Sequence, residues 1–190
     1  MVADRRYSNV AILLHWAIAL LIIANILLGH VMVAAPLSSK PVLVPIHIWI
    51  GLSVLLLSVI RIGWRLTHPK PPYPVVLSRW ETLLAAATQG LFYLLMIGLP
   101  IVGYLILSAN PPNPRMALRV LGLIELPFLE PLQMMARPEQ KLLHDRFVTV
   151  HAIGAWIMVA AIALHIAGIV KHLLFERENL VKRMLFQMPR

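Results

Sequence analysis

Four long apolar runs, separated by short polar or proline-rich segments, dominate the chain. They cover residues 10–33, 42–66, 83–108 and 148–175, and each exceeds the roughly 18–20 residues that a helix needs to cross the hydrocarbon layer of a bilayer. Inside lipid the backbone must satisfy its own hydrogen bonds, so the pattern predicts an all-α membrane protein: a four-transmembrane-helix bundle forming one membrane domain over residues 1–190. The connector Thr67-His68-Pro69-Lys70-Pro71-Pro72-Tyr73-Pro74 cannot continue a helix, because its prolines lack amide donors. A longer connector, 109–146, opens with Pro111, Pro112 and Pro114. Its weakly apolar stretch from Met116 to Met135 is broken by Arg119, Glu125, Pro127, Glu130 and Pro131, which argues against a fifth span and predicts an interfacial segment covering one face of the bundle. The first run is too long for a cleavable signal peptide and lacks a small-residue cleavage site, so it is expected to remain as a span.

Composition supports this picture. With 59% hydrophobic residues and a mean hydropathy of +0.79, the chain has more apolar surface than one soluble core can hide, and the excess must face the lipid bilayer. A net charge of +9 would be compatible with nucleic acid, but the 17 Lys and Arg sit mainly at the edges of the apolar runs, where membrane proteins keep topological charge. No nucleic-acid partner is expected. Eleven of these cations fall on the side of the two termini and the connector around residues 67–79, against six on the opposite side, which predicts both termini cytoplasmic.

Cysteine is absent, which excludes disulfides, a thiolate haem ligand, covalent haem attachment through Cys-x-x-Cys-His and Cys-ligated iron–sulfur clusters. Histidines are the remaining candidates for metal ligation. His15 lies in the first span, His47 in the second, and His151 and His165 in the fourth. An imidazole inside the membrane is costly and calls for a partner. His151 and His165 are 14 residues apart, which at about 100° per residue returns to within roughly 40° of one face and separates them by about 21 Å along the helix. Alternating span direction then sets depth: His15 pairs with His165 near the cytoplasmic side, and His47 with His151 near the outer side. Each haem iron needs two axial nitrogens, and a flat macrocycle fits between helices, so the arrangement predicts two haems b stacked across the bilayer.

Neighbouring residues extend the candidate site. Gly51 follows His47 by one turn, and His151-Ala-Ile-Gly154 and His165-Ile-Ala-Gly168 repeat one His-x-x-Gly pattern; these glycines suit either close porphyrin approach or helix packing. Gly29, 14 residues beyond His15, suits the same approach at the outer level. Arg61 lies 14 residues beyond His47 and reaches the level of the inner site, where haem propionates would supply its counter-charge, unless it snorkels to the surface as Arg65 is expected to do. His30 and His68 are expected at the interface without a chemical role, His172 among the headgroups, and His144 at a solvated helix end, or above the outer site if the fourth helix starts early.

At these residues the chain resembles the bacterial cytochrome b561 family of four-helix di-haem membrane proteins. The similarity spans Tyr7-Ser8 leading into His15-Trp16, Ile46-His47 through Arg61 and Arg65 to Pro69-x-Pro71-Pro72, Tyr93-Leu94-Leu95 with Leu99-Pro100-Ile101-Val102-Gly103, and His151 to His165 followed by His172 and Asn179-Leu180. The resemblance implies axial ligation by His15, His47, His151 and His165. It also implies exchange of electrons with ubiquinone or another quinone, and in one branch oxidation of superoxide at the outer face. Related cytochromes serve as membrane subunits of hydrogenases and similar dehydrogenases.

Two functions of different kinds follow as expectations: a quinone-linked oxidoreductase with superoxide as donor, or a non-catalytic subunit relaying electrons from a redox partner protein to quinone. Lys141 and Arg146, with Arg137 and Lys40, would attract an anionic donor, although Glu125, Glu130, Glu139 and Asp145 dilute that field. A haem-free metal transporter is a third reading. It is disfavoured because no Asp or Glu lies within the spans to join the imidazoles.

Overall fold

The structure is a computed structural model that describes residues 6–68, 71–72, 77–110, 118–120 and 124–186. Four helices are long and apolar enough to cross a membrane: α1 Asn9–Ala34, α2 Lys40–Thr67, α3 Arg79–Ser108 and α5 Arg137–Phe175. Between α3 and α5 lie two three-residue strands, β1 Leu118–Val120 and β2 Ile124–Leu126, and the one-turn helix α4 Glu130–Gln133.

Local chemistry sets the helix boundaries. The Ser8 hydroxyl accepts from the amide of Ala11 and caps α1. α1 ends two residues before Pro36, and a 3-10 turn at Leu37–Ser39 leads into α2, whose second residue is Pro41. Ser78 and Glu81 start α3 four residues earlier than the apolar pattern predicts: the Glu81 carboxylate accepts from the Ser78 amide at 2.8 Å and from its hydroxyl at 2.6 Å. α5 begins at Arg137, well before the expected 148, so residues 137–146 of the expected connector are helical. Pro138 in the first turn suits a helix start. The polar residues that hid this extension also anchor it: buried Gln140 donates to the Leu132 carbonyl at 3.1 Å and accepts from Arg137 at 3.1 Å. At 39 residues, α5 is about 58 Å long, far more than a hydrocarbon layer of roughly 30 Å requires.

The connector itself is more structured than a continuous interfacial stretch. β1 and β2 pair antiparallel with Arg119 opposite Glu125, while residues 111–117 and 121–123 lie outside the described set. α4 is tied to the end of α3: Gln133 donates to the carbonyls of Ser108 and Asn110, Tyr104 donates to Pro127 O, and the Leu129 amide donates to the Ser108 hydroxyl.

The bundle packs α1 on α2, α3 on α5, and α2 on α3. Its core is Ile18, Val54, Leu95, Met96 and Met158, with Leu21, Ile22, Leu57 and Ile162 packed around it. Met158 stands seven residues from each of His151 and His165, so this apolar layer occupies the middle of the bundle. Outward-facing residues are also apolar, including Leu13, Leu20, Leu27, Leu56 and Leu94, all more than half exposed. Such a surface is stable only against lipid. The C-terminal 3-10 helix Leu180–Met184 folds back on the terminal side: Trp16 donates to Met184 O at 2.7 Å, and Arg183 donates to the carbonyls of Pro71 and Pro72.

Candidate functional site

The helices bring the four span histidines together as two pairs. The rings of His15 on α1 and His165 on α5 have centroids 6.3 Å apart, and those of His47 on α2 and His151 on α5 are 6.0 Å apart, each pair inclined at 66°. A metal–imidazole bond of about 2 Å on each side, plus roughly 1.1 Å from ring nitrogen to ring centre, would place two axial imidazoles about 6.2 Å apart. Both observed separations match that span. Buried Nδ1 atoms of His47 and His151 lack hydrogen-bond partners in the structure, an unfavourable state for polar groups whose rings serve only packing. Among the described residues no group of three or more His, Cys, Asp or Glu side chains is placed to hold a metal ion. Two facing imidazoles are the number of protein ligands that an iron in a macrocycle requires, so the donor set fits haem.

The remaining candidate residues fall into distinct surroundings. Arg61 is half-buried and donates to the Ala11 carbonyl at 3.3 Å, one turn from His15. With Arg6, Arg65, Ser8, Trp64 and His68 it lines a cavity of about 210 Å³ on the terminal side. Arg65 donates to Gln89 at 3.0 Å, which ties α2 to α3 where snorkelling was expected. A β-carbon at Gly51 would lie 3.6 Å from the Asn25 amide nitrogen, and one at Gly154 would lie 2.6 Å from Leu99 Cδ2. At Gly168 it would meet nothing within 4 Å.

Three contacts were not anticipated from the sequence. Gly29 and Gly103 each face the edge of one of the paired histidines, Gly29 that of His47 and Gly103 that of His151. The motif Leu99-Pro100-Ile101-Val102-Gly103 was the available signal for the second, but nothing in a linear chain links it to His151. The third is an ionic network joining the start of α3 to the end of α5: Lys171 bonds Glu81 and, at 2.8 Å, Glu176, while His172 Nδ1 meets Glu176 at 2.6 Å. Hydrogen bonds from Lys171 and then His172 hold the Glu176 carboxyl below the usual carboxylate range. His172 therefore sits in a built network and not simply among headgroups.

At the opposite end, Lys141 pairs with Asp145 at 2.6 Å, and His144 Nδ1 lies 3.2 Å from the same carboxylate. His30 packs edge-on against Trp156 with centroids 5.3 Å apart, and His68 stacks on Trp64 at 3.7 Å.

Comparison with known proteins agrees with this architecture. Residues 6–187 match the prokaryotic cytochrome b561 family. The chain is 35% identical over 103 residues to a probable superoxide oxidase of Yersinia pestis, covering 54% of this chain and 58% of that relative. It is 33% identical over 109 residues to a cytochrome b562 of Cereibacter sphaeroides, covering 54% of this chain and 67% of the relative. A cytochrome b561 homologue of Escherichia coli is 28% identical over 186 residues, 95% of this chain and 91% of that protein. With four membrane-spanning helices and a family match over nearly its whole length, the chain belongs to the prokaryotic cytochrome b561 family, multi-pass bacterial membrane proteins that bind haem b and transfer electrons.

Proposed function

We propose that the protein holds two haems b, one between His15 and His165 and one between His47 and His151, and passes electrons along the bundle to or from quinone. The observation that carries this reading is the matched spacing of the two pairs, 6.3 and 6.0 Å between ring centres, on faces of α5 separated by 14 residues. When bound, the haems supply one-electron chemistry; the chain supplies ligands, orientation and surrounding charge. Arg61 stands beside His15 to meet a propionate from the terminal-side haem. Gly168 leaves room beside His165, and Gly51 and Gly154 let neighbouring helices close in at the level of His47 and His151.

Superoxide is the proposed donor at the end away from the termini, and ubiquinone the acceptor; the partial similarity to a probable superoxide oxidase supports this. The relay-subunit reading draws on a specific observation: Asp145 pairs with Lys141 and weakens the cationic field that would attract an anion. Under that reading the protruding first turns of α5 meet a peripheral redox protein. Both termini are placed in the cytoplasm, supported by the excess of Lys and Arg on their side.

The test is haem quantitation with reduced-minus-oxidised spectra of single His→Ala variants. His47→Ala and His151→Ala should each lose the same spectral component, about half the haem. His15→Ala and His165→Ala should lose the other. If His15→Ala and His151→Ala lost one component in common, the pairing would be wrong. Stopped-flow mixing of the oxidised protein with superoxide then separates the two functions, since absence of reduction favours the relay subunit.

A further inference from the structure

The two ligands of the His47/His151 pair come from different helices, yet their surroundings repeat. The edge of His47 lies against Gly29 of α1, where a β-carbon would sit 3.7 Å from Cε1 and 4.0 Å from Nδ1. The edge of His151 lies against Gly103 of α3, at 3.6 and 3.9 Å by the same measure. Four residues before each glycine, one turn back on the same helix face, stands the residue whose main-chain carbonyl faces the imidazole without completing a hydrogen bond to its Nδ1: Asn25 for His47 and Leu99 for His151. In a helix that carbonyl already accepts the amide of the glycine itself, through one of its two lone pairs. A side chain at the glycine would lie over the other. The exchange is also reciprocal, because the side chains of Asn25 and Leu99 project toward Gly51 and Gly154 of the ligand-bearing helices. No described glycine makes such a contact with His15 or His165; His165 instead meets Phe92 edge-on at 5.7 Å.

We propose that Gly29 and Gly103 are positioning residues for this one pair, each forming a notch that seats a ligand imidazole against a main-chain carbonyl of the neighbouring helix. Neither Nδ1 completes a hydrogen bond in the structure; with Nε2 on an iron, Nδ1 would carry the proton, and this carbonyl is the acceptor that the notch brings toward it, which would fix the ring's tautomer and orientation. An imidazole whose Nδ1–H is so engaged is a more basic ligand and favours the oxidised iron, so the pair's haem is held at a lower potential than it would have without the notches. The inference rests on the haem-pair reading above and adds the groups that orient its ligands.

The β-carbon distances set a sharp threshold. Alanine reaches ordinary van der Waals contact with the ring, whereas a γ-carbon overlaps it, so Gly29→Ala and Gly103→Ala are tolerated and Gly29→Val and Gly103→Val displace the ring. Gly98→Val is the control, since a side chain there has open space on the same helix as Gly103. The readouts are potentiometric titration and low-spin ferric electron paramagnetic resonance of the purified holoprotein. Wild-type protein and His47→Ala are measured first; a wild type lacking two components sinks the haem-pair reading itself. With two components present, either Val variant should raise the potential and alter the resonance of the component missing in His47→Ala, or lose that component alone, while the Ala variants and Gly98→Val keep both. Val variants with both components unaltered, or with both lost together, would overturn the notch.

Discussion

Leu99 carries two contacts from one residue: its side chain fills the space at Gly154 while its carbonyl faces His151. A β-carbon at Gly154 would come within 2.6 Å of Leu99 Cδ2, too close without movement of the leucine. Because the atom met is the far end of a side chain that can turn away, the overpacking costs about 1 kcal/mol, the low end for such changes. Gly154→Ala should therefore lower the thermal midpoint in detergent by several degrees, and combining it with Leu99→Ala should cost about 1 kcal/mol less than the two single losses added, as a double-mutant cycle would show. Additive losses would mean the two residues do not meet. At this scale the sequence revealed a good deal. The four histidines and their partners follow from apolar runs whose alternating direction fixes depth. The level of Gly29 was legible too, from its 14-residue spacing to His15; that it meets the His47 ring, and that Gly103 meets His151, was not, because both depend on which face of a remote helix lies opposite.

Among the elements, α5 departs most from its apolar pattern. Residues 137–147 carry Arg, Glu, Gln, Lys, His and Asp and therefore give no span signal, yet they continue the helix because Gln140 and Arg137 bond one another and the chain before them. The other end of α5 is fastened to the start of α3 through Lys171, Glu81 and Glu176. Because the Glu176 carboxyl titrates below its ordinary value of 4.5, its contribution to stability is complete above that pH and is lost as pH falls through the lower folded-state value. Thermal midpoints measured from neutral to acid pH should decline at the acid end, with a smaller decline in Glu176→Gln. An identical acid profile in the variant would show that the network contributes nothing. The sequence reading left His172 among headgroups because its acceptor, Glu176, lies past the end of the apolar run.

For the molecule as a whole, orientation and surface charge decide which side each site faces and what reaches it. A reporter fused after Arg190 should read cytoplasmic if the excess of 11 cations over 6 sets the topology. A periplasmic readout would exchange the inner and outer sites and leave the pairs intact. At the far end, an anionic donor drawn by charge should react more slowly as salt rises, since the field is screened within about 8 Å at physiological ionic strength. Lys141→Gln with Arg146→Gln should slow it further, whereas Asp145→Asn, which frees Lys141 of its partner, should speed it. Rates indifferent to all three would remove steering from the account.

The apolar layer around Ile18, Val54 and Met158 has one more implication. No acidic or basic side chain lies between His15 and His30 on α1, between His47 and Arg61 on α2, or between His151 and His165 on α5. Electrons can tunnel across such a slab, but protons find no carboxylate or ammonium on these three helices to carry them; the titratable group packed against the layer is the phenol of Tyr93 on α3. With a haem held at each histidine pair, as proposed, each transfer between them would move a negative charge over about 21 Å of a roughly 30 Å hydrocarbon layer. A charge crossing the whole layer is worth about 2.3 kcal/mol per 100 mV, so this passage feels about two-thirds of that. In the proposed orientation an inward electron moves toward the negative side of an energised membrane, and the membrane voltage itself becomes a brake on the flow.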